Sequence, residues 1–252
     1  MNANEIINQV MDSAQKIVNK YTYPVFVSDL KRKPDLLASS VIIELDSEYF
    51  LVTASHVLLE VLSINSQFII GVNGKYQTVV GEFTHSNVEE GIDNFDIAYI
   101  PISKNFVEKN EINVLKEEMI VMDKSRPIPH IAFIHGFPNS MNKQSKALYN
   151  TTSFKVKAYA YGGVIKNDFP YWGECKKLVD VHTCMTYGMK SDKNMARHPG
   201  GISGGGLWVV PKYSEPEVIL LDSIFIEYHK TYSVTFSTKI SEVVNFIKST
   251  KA

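Results

Sequence analysis

Apolar residues recur at helical spacing at both ends of the chain. From about Asn4 to Val18 they follow intervals of three and four residues, at Ile6, Ile7, Val10, Met11, Ala14, Ile17 and Val18. Near the other end, one helical face collects Ile240, Val243, Val244 and Ile247. Such intervals are typical of amphipathic helices. The pattern predicts an N-terminal helix within residues 1–20 and a C-terminal helix within residues 239–252.

The long middle part of the chain has the pattern of short strands separated by turns. Its apolar runs are brief and rich in β-branched and aromatic residues, as strands are. The first six runs are Tyr23–Val27, Ser40–Leu45, Tyr49–Thr53, Phe68–Val72, Gln77–Phe83 and Asp96–Ile102. After a polar stretch come Met119–Met122, Ile131–His135, Thr152–Tyr161, Leu178–Thr186, Gly206–Val210, Val218–Glu227 and Tyr232–Ser237. This layout predicts an all-β protein of two antiparallel six-stranded β-barrels, over residues 21–120 and 121–238, with a cleft between them.

Composition indicates which kinds of partner and which cellular compartment to expect. The 252 residues include 44% hydrophobic and 21% charged residues, which are ordinary values for a globular protein. A net charge of -1 without a basic block argues against nucleic acid as a partner. No apolar run approaches the roughly 20 residues of a membrane-spanning helix. Two cysteines and a first segment unlike a secretory signal lead us to expect a cytoplasmic protein.

Three short segments carry the residue types that acyl transfer to a serine needs. In chain order they supply a histidine, an aspartate and a serine, within Thr53–His56, Phe95–Ala98 and Gly201–Gly206. A serine hydroxyl is a good nucleophile at neutral pH only when an imidazole accepts its proton. A carboxylate on the other ring nitrogen holds that imidazole in place. The sequence therefore predicts a catalytic set of His56, Asp96 and Ser203.

These segments resemble the motifs of the trypsin/chymotrypsin-like serine peptidase family. Thr53–His56 is similar to its Thr-Ala-Ala-His, Phe95–Ala98 to its Asp-Ile-Ala, and Gly201–Gly205 to its Gly-Asp-Ser-Gly-Gly. Ile134–Pro138 resembles the Gly-Tyr-Pro strand of the glutamyl-endopeptidase-like, bacterial-type branch. The resemblance implies a chymotrypsin-like fold and a serine endopeptidase.

The resemblance also implies a role for each residue. Ser203 attacks the peptide bond and forms an acyl-enzyme, His56 is the general base and then acid, and Asp96 orients His56. Backbone N–H groups of Gly201 and Ser203 form the oxyanion hole. Asp93 competes for the carboxylate role, but the family's aspartate opens an apolar strand, which favours Asp96.

One position departs from the family pattern. Secreted digestive members carry an aspartate before the serine, which pairs with a new N-terminus after zymogen cleavage, whereas this chain has Ile202. Activation by N-terminal insertion is therefore not expected. The loop is shaped constitutively or by a regulatory protein partner.

Substrate-binding residues follow from the same resemblance. Arg197, six residues before Ser203, falls at the base of the specificity pocket, beside His198 and Gly200. A cation there favours an acidic substrate side chain. The alternative is an exposed polar loop in a different register. The strand that pairs with the substrate backbone and walls the pocket contributes Ile226, Glu227 and Tyr228.

Other interpretations of the motifs remain open. A catalytically silent binding module could keep the same fold, with a polypeptide as its partner in either case. An α/β-hydrolase esterase also has Gly-x-Ser-x-Gly, but it needs a helix directly after the serine, where Gly204–Gly206 is a poor start.

Two further features have alternative readings. Zinc ligands are available at Cys175, His182, Cys184 and His198, although the spacing matches no strong pattern and free thiols are favoured. We therefore predict no metal and no cofactor. The N-terminal helix either packs on the barrels, which is the favoured reading, or docks a partner.

Overall fold

The structure is a computed structural model that describes residues 3–28, 34–86, 95–122, 131–142, 153–166, 169–188 and 196–251. Its described strands form two antiparallel sheets of seven strands each. A helix lies at each end of the chain, α1 at Ala3–Val18 and α5 at Ile240–Lys251. The all-β class with two terminal helices is therefore confirmed.

The first sheet holds the strands of the N-terminal half. They are β1 Thr22–Ser28, β2 Asp35–Leu45, β3 Glu48–Ala54, β4 Gln67–Val72, β5 Lys75–Thr78, β6 Thr84–His85 and β7 Ile97–Ile102. Their order across the sheet is β5-β4-β1-β2-β3-β7-β6. Between β3 and β4 lies helix α2, Ser55–Ser63, and helix α3, Lys104–Lys109, follows β7.

The second sheet holds the strands of the C-terminal half. They are β8 Ile131–Gly136, β9 Tyr159–Gly163, β10 Ile165–Lys166, β11 His182–Thr186, β12 Gly206–Val210, β13 Leu220–His229 and β14 Val234–Lys239. Their order is β10-β11-β14-β13-β12-β8-β9. The short helix α4, Asn139–Asn142, follows β8 directly.

The sheets differ from the prediction in strand number and in several bounds. Each has seven strands instead of six, because two-residue strands such as β6 and β10 are too short to leave an apolar alternation. The strand expected over Met119–Met122 is a 3₁₀ turn at Glu117–Met119 followed by a single bridge from Ile120 to Leu221.

Two tight turns set the register of the first sheet. Asp46 and Ser47 join β2 to β3 with φ angles of 49° and 65°. Asn73 and Gly74 join β4 to β5 with φ angles of 50° and 75°. Positive φ at both central residues is the type I′ geometry, whose twist matches that of the flanking strands. Both hairpins therefore pair without a slip that would turn apolar side chains outward.

One apolar core joins the two sheets and both terminal helices. Its fully buried side chains come from the first sheet, such as Phe50, and from the second, such as Phe236. Helix α1 buries Val10, Ala14 and Val18 in this core, so it packs on the sheets as the favoured reading predicted. In the described part of the chain, no helix combines the length and apolarity needed to cross a bilayer.

Candidate active site

His56 lies in the first turn of α2, directly after β3. The apolar face of α2 buries Val57, Leu58 and Val61, so the helix fixes its axis against the sheet. The His56 side chain points away from that face and is 47% exposed. Because one face of α2 is anchored in the core directly after β3, the His56 imidazole is held at the edge of the first sheet.

Asp96 accepts three hydrogen bonds from the start of α2, two of them from His56. Its backbone carbonyl accepts from the N–H of Ser55 at 3.0 Å, and its Oδ1 accepts from the N–H of His56 at 2.9 Å. Its Oδ2 accepts from His56 Nδ1 at 2.7 Å. Because a carboxylate can only accept, the proton sits on Nδ1 and Nε2 is left as the acceptor in the neutral ring. The competing Asp93 lies outside the described residues.

The second sheet braces the Asp96 segment. Thr238 of β14 donates from Oγ1 to the carbonyl of Phe95 at 2.5 Å. Asp96 itself has a φ of 49°, a left-handed conformation that Asp tolerates better than most residues. The carboxylate is therefore positioned from both halves of the molecule.

The environment of His56 has opposing effects on its pKa. Desolvation by burial lowers the pKa, and it is the largest single effect. The hydrogen bond and the charge of Asp96, with the charges of Glu60 and Glu227, outweigh it and raise the pKa above the usual 6.5. An imidazole must be neutral to accept a proton. A reaction that uses His56 as a base therefore becomes faster as the pH rises through this raised pKa.

Ser203 lies where the two sheets meet. Its carbonyl accepts from the N–H of Ser39 on β2 at 2.9 Å. The next residue, Gly204, packs against Thr53, three residues before His56. In the described part of the chain Ser203 Oγ makes no hydrogen bond to His56, a contact that often tightens only when substrate binds.

Gly201 and Ser203 stand apart from their neighbours in how their N–H groups are used. The N–H of Gly200 donates to His198 Nδ1 at 3.1 Å. The remaining neighbours donate to backbone carbonyls at 2.7–2.8 Å: Ile202 to Pro199, Gly204 to Phe225 and Gly205 to Ile202. Among the described residues, the N–H groups of Gly201 and Ser203 reach no acceptor. Unpaired backbone donors are uncommon in folded proteins, so two in one loop mark a candidate anion site.

The direction of these two N–H groups follows from the carbonyls on the same peptide units. The Gly201 N–H shares its peptide with the Gly200 carbonyl, and the Ser203 N–H shares its peptide with the Ile202 carbonyl. The Gly200 carbonyl accepts from the N–H of Asn139 at 2.7 Å, and the Ile202 carbonyl accepts from Gly205. In a trans peptide the C=O and N–H point in opposite directions. The N–H groups of Gly201 and Ser203 are therefore directed away from these internal contacts. A φ of 98° at Gly201 makes this turn accessible to glycine alone at low cost.

Ile202, the residue directly before Ser203, is fully buried. It belongs to an apolar cluster with Ile134, Leu207 and Phe225. Apolar packing therefore fixes this position of the loop.

We expect Gly204→Ala to destabilise the protein and disturb this loop. A Cβ at Gly204 would lie 2.1 Å from Thr53 Oγ1 and 2.2 Å from the Ser39 carbonyl, and its φ is 82°. Overpacking of this kind costs about 1–3 kcal/mol or more in unfolding free energy, measurable by denaturant titration. Gly173→Ala is the matched control, because a Cβ there meets nothing within 4 Å. Equal stability of the two variants would contradict the close packing of the Ser203 loop on β3.

The predicted substrate-binding residues lie in two places, the loop before Ser203 and the strand β13. His198 lies beside Tyr228, with ring centroids 6.5 Å apart. Gly200 binds the same histidine through its N–H. Arg197 is exposed, and its carbonyl accepts from the Tyr187 hydroxyl, which fits the alternative of an exposed polar loop.

On β13, Ile226 and Glu227 have different environments. The Ile226 side chain is buried in the main core, so only its backbone is available to a substrate. Glu227 is 40% exposed and pairs with Lys177 at 2.7 Å, whose own side chain is only 7% exposed. Lys177 was not anticipated, because one lysine in a polar segment leaves no pattern.

An aromatic cluster next to the site was also missed by the sequence analysis. Tyr161 and Tyr187 have ring centroids 4.4 Å apart, and Tyr187 and Tyr228 are 5.2 Å apart. The Tyr161 hydroxyl accepts from the N–H of Gly188 at 3.1 Å. The alternation Tyr159-Ala160-Tyr161 on β9 was the available signal, since it places both tyrosines on one face of the strand.

The four residues weighed as zinc ligands, Cys175, His182, Cys184 and His198, form no metal-binding group in the described part of the chain. Cys175 and Cys184 are both free and buried, and burial raises the pKa of the Cys184 thiol to about 12. His182 is buried, with Nδ1 against the backbone of Leu178. The described residues contain no group of three or more His, Cys, Asp or Glu side chains suited to a metal.

Comparisons with known proteins identify the fold. No family model and no curated protein sequence matches the chain. One similar structure comes from work on Sesbania mosaic virus, in which aromatic interactions drive the coupled folding and binding of the intrinsically disordered VPg protein. It has a TM-score of 0.56 and 12% identity over 90% of each chain.

Two further structures have chymotrypsin-like folds. A scabies mite inactivated protease paralogue has a TM-score of 0.55 and 13% identity, over 94% of this chain and 95% of its own. Human heparin binding protein has a TM-score of 0.54 and 10% identity, over 91% and 90%. Likenesses at such low identity concern architecture alone. The chain has a chymotrypsin-like fold, which includes members that are not active proteases.

Proposed function

We propose that the protein is a serine endopeptidase. The observation that supports this best is the combination of two features at the sheet junction. One is an imidazole held by a carboxylate, with Nε2 available as the acceptor. The other is the pair of backbone N–H groups of Gly201 and Ser203, which reach no acceptor among the described residues; one of them belongs to the serine itself.

In the proposed reaction Ser203 Oγ attacks the carbonyl carbon of the scissile bond. His56 Nε2 accepts the hydroxyl proton and then delivers it to the leaving amine, which leaves an acyl-enzyme. Water then attacks the ester carbonyl with His56 again as the base; the acyl–Oγ bond breaks, the acid product leaves, and His56 returns the proton to Ser203 Oγ. Throughout, Asp96 keeps the proton on Nδ1 and stabilises the imidazolium cation. The N–H groups of Gly201 and Ser203 stabilise the oxyanion of each tetrahedral intermediate.

The edge of β13 supports a polypeptide as the substrate. β12 pairs with β13 only as far as Ile224. The backbone of Phe225 then bonds to Gly204 and Gly205, which precede β12. β14 continues on the other side as far as His229. In the described part of the sheet, one side of Ile226–His229 is therefore unpaired. An extended peptide can add there as a further strand.

We propose that the protein prefers an acidic residue directly before the cleaved bond. His198, and not Arg197 as first predicted, would bind the side chain of that residue. His198 Nδ1 accepts from a backbone N–H, which can only donate, so the neutral ring carries its proton on Nε2. That N–H and the phenol of the adjacent Tyr228 are donors suited to a carboxylate. Cuts after Lys or Arg in a peptide library would contradict this preference.

A fluorophosphonate probe tests the proposed activity directly. The probe should modify the folded protein at one residue, identified as Ser203 by mass mapping of the digest. Heat-denatured protein is the control and should stay unmodified. Folded protein that takes up no probe supports the alternative, a silent binding module. That alternative is motivated by the inactivated paralogue among the structural neighbours.

A further inference from the structure

Ser39 connects the first sheet to the loop of the proposed nucleophile. It lies on β2 and is fully buried. Its Oγ donates to the carbonyl of Gly201 at 2.8 Å and accepts from the N–H of Phe137 at 2.9 Å. Its backbone N–H donates to the carbonyl of Ser203 at 2.9 Å. One residue thus binds the loop on both sides of the Ile202–Ser203 peptide.

We propose that Ser39 is a positioning residue that holds the oxyanion donors of Gly201 and Ser203 in their working orientation. This inference rests on the proposed peptidase function. The Gly201 backbone is the soft part of the loop, because glycine at a φ of 98° has several conformations within reach. The Gly201 and Ser203 carbonyls belong to the peptides on either side of the Ile202–Ser203 peptide, which carries the Ser203 N–H, so fixing both carbonyls restrains that donor. The Gly201 carbonyl also lies on the same residue as the Gly201 N–H, so fixing it limits rotation of that donor.

The residues packed around Ser39 hold its hydroxyl against the Gly201 carbonyl. A Cβ at Gly136 would lie 2.7 Å from Ser39 Oγ, so glycine leaves the space that the hydroxyl occupies. The carbonyl of Ser39 accepts from Thr53 Oγ1 at 2.9 Å, which ties the same residue to the strand leading to His56. The hydroxyl therefore has one donor and one acceptor in fixed positions and no freedom to rotate away.

Neighbouring Ser40 provides a matched control. It is also fully buried on β2, but its Oγ donates to the carbonyl of Tyr23 at 3.3 Å within the first sheet. Adjacent strand residues face opposite sides of a sheet. Ser40→Ala therefore removes a buried hydroxyl of the same strand without touching the Ser203 loop.

The loss expected for Ser39→Ala falls on kcat. Removing one oxyanion donor typically costs ~10²–10³ in rate, so loosening both without deleting either should cost about 10–10². KM should change less than about twofold, because the donors act on charge that appears after substrate has bound. Ser40→Ala should retain wild-type kcat and KM.

Binding of two ligands separates positioning from a general structural role. A peptidyl trifluoromethyl ketone places a negative oxygen in the hole, whereas the matching peptide amide does not. Ser39→Ala should weaken binding of the ketone by the factor lost in kcat and leave binding of the amide unchanged. Equal weakening of both ligands, or of neither, would overturn the proposal.

Amide NMR makes the test independent of catalysis. The ¹H–¹⁵N resonances of Gly201 and Ser203 should shift in Ser39→Ala and not in Ser40→Ala. Unchanged resonances of both residues in Ser39→Ala would overturn the proposal.

Ser39→Cys, which keeps a weak donor, replaces Ser39→Ala if that variant does not fold, and its loss in kcat should be smaller. Wild-type protein inert to both fluorophosphonate and ketone refutes the peptidase function itself, whereas an active wild type with an unaffected Ser39→Ala refutes only the role of Ser39.

Discussion

Replacing Ser203 by alanine is expected to lower kcat on the order of 10⁶-fold, the scale seen when a serine-peptidase nucleophile is removed. In the proposed mechanism the substitution deletes the atom that forms the acyl-enzyme and leaves the backbone donors in place. Peptide binding should persist, since strand addition on β13 does not involve Oγ. The measurement is turnover of a cleaved peptide, together with direct binding of the same peptide.

Ser63→Ala is the matched control for that variant. Ser63 ends α2, the helix that carries His56, and its exposed hydroxyl only donates to the carbonyl of Glu60. Its kcat should stay at the wild-type value. Comparable turnover by Ser203→Ala and wild-type protein would show that another group performs the chemistry or that the activity belongs to a contaminant.

Asp96→Asn should have the next largest effect, a loss of about 10⁴-fold in kcat, the scale typical of this change in a Ser-His-Asp triad. The asparagine amide can turn its NH₂ group toward His56 Nδ1. The ring proton then moves to Nε2, the atom that has to accept the Ser203 proton. The fold should survive, because Asn tolerates the φ of 49° at this position as well as Asp does.

Asp46→Asn controls for the backbone conformation in that experiment. Asp46 has the same φ of 49° but lies in the exposed turn between β2 and β3, 3.5 Å from Lys248. Exposed ion pairs contribute little to stability, so both stability and kcat should remain near wild type. If Asp96→Asn kept wild-type kcat, Asp96 would not be the residue that orients His56.

Several features of the fold were readable from local pattern. The helix at each end follows from apolar intervals of three and four residues, and most strand cores follow from β-branched runs. Helix α2 was missed because only four of its nine residues, among them Ser55, are buried, and one short apolar run fits a strand or a helix equally. The short strands β6 and β10 were missed because two residues carry no periodicity.

The candidate site was readable in its residue types and not in its geometry. Motifs predicted His56, Asp96 and Ser203, and the structure joins the first two by hydrogen bonds while bringing the loop of the third to the same junction. The roles in catalysis stay predictions. Arg197 illustrates the limit, because counting residues back from Ser203 assumes a loop register that only the packing of the loop determines.

The sequence by itself determined the strand-rich class, the terminal helices and the order of the reactive residue types, since each depends on neighbours along the chain. Tertiary structure alone decided the direction of the Gly201 and Ser203 N–H groups, the burial of Ile202 and the bridge from Ser39. The hydrogen bond from Ser39 to Gly201 spans 162 residues. Its partners meet only because the two sheets bury one shared core, and no local pattern records which of their edges will face each other.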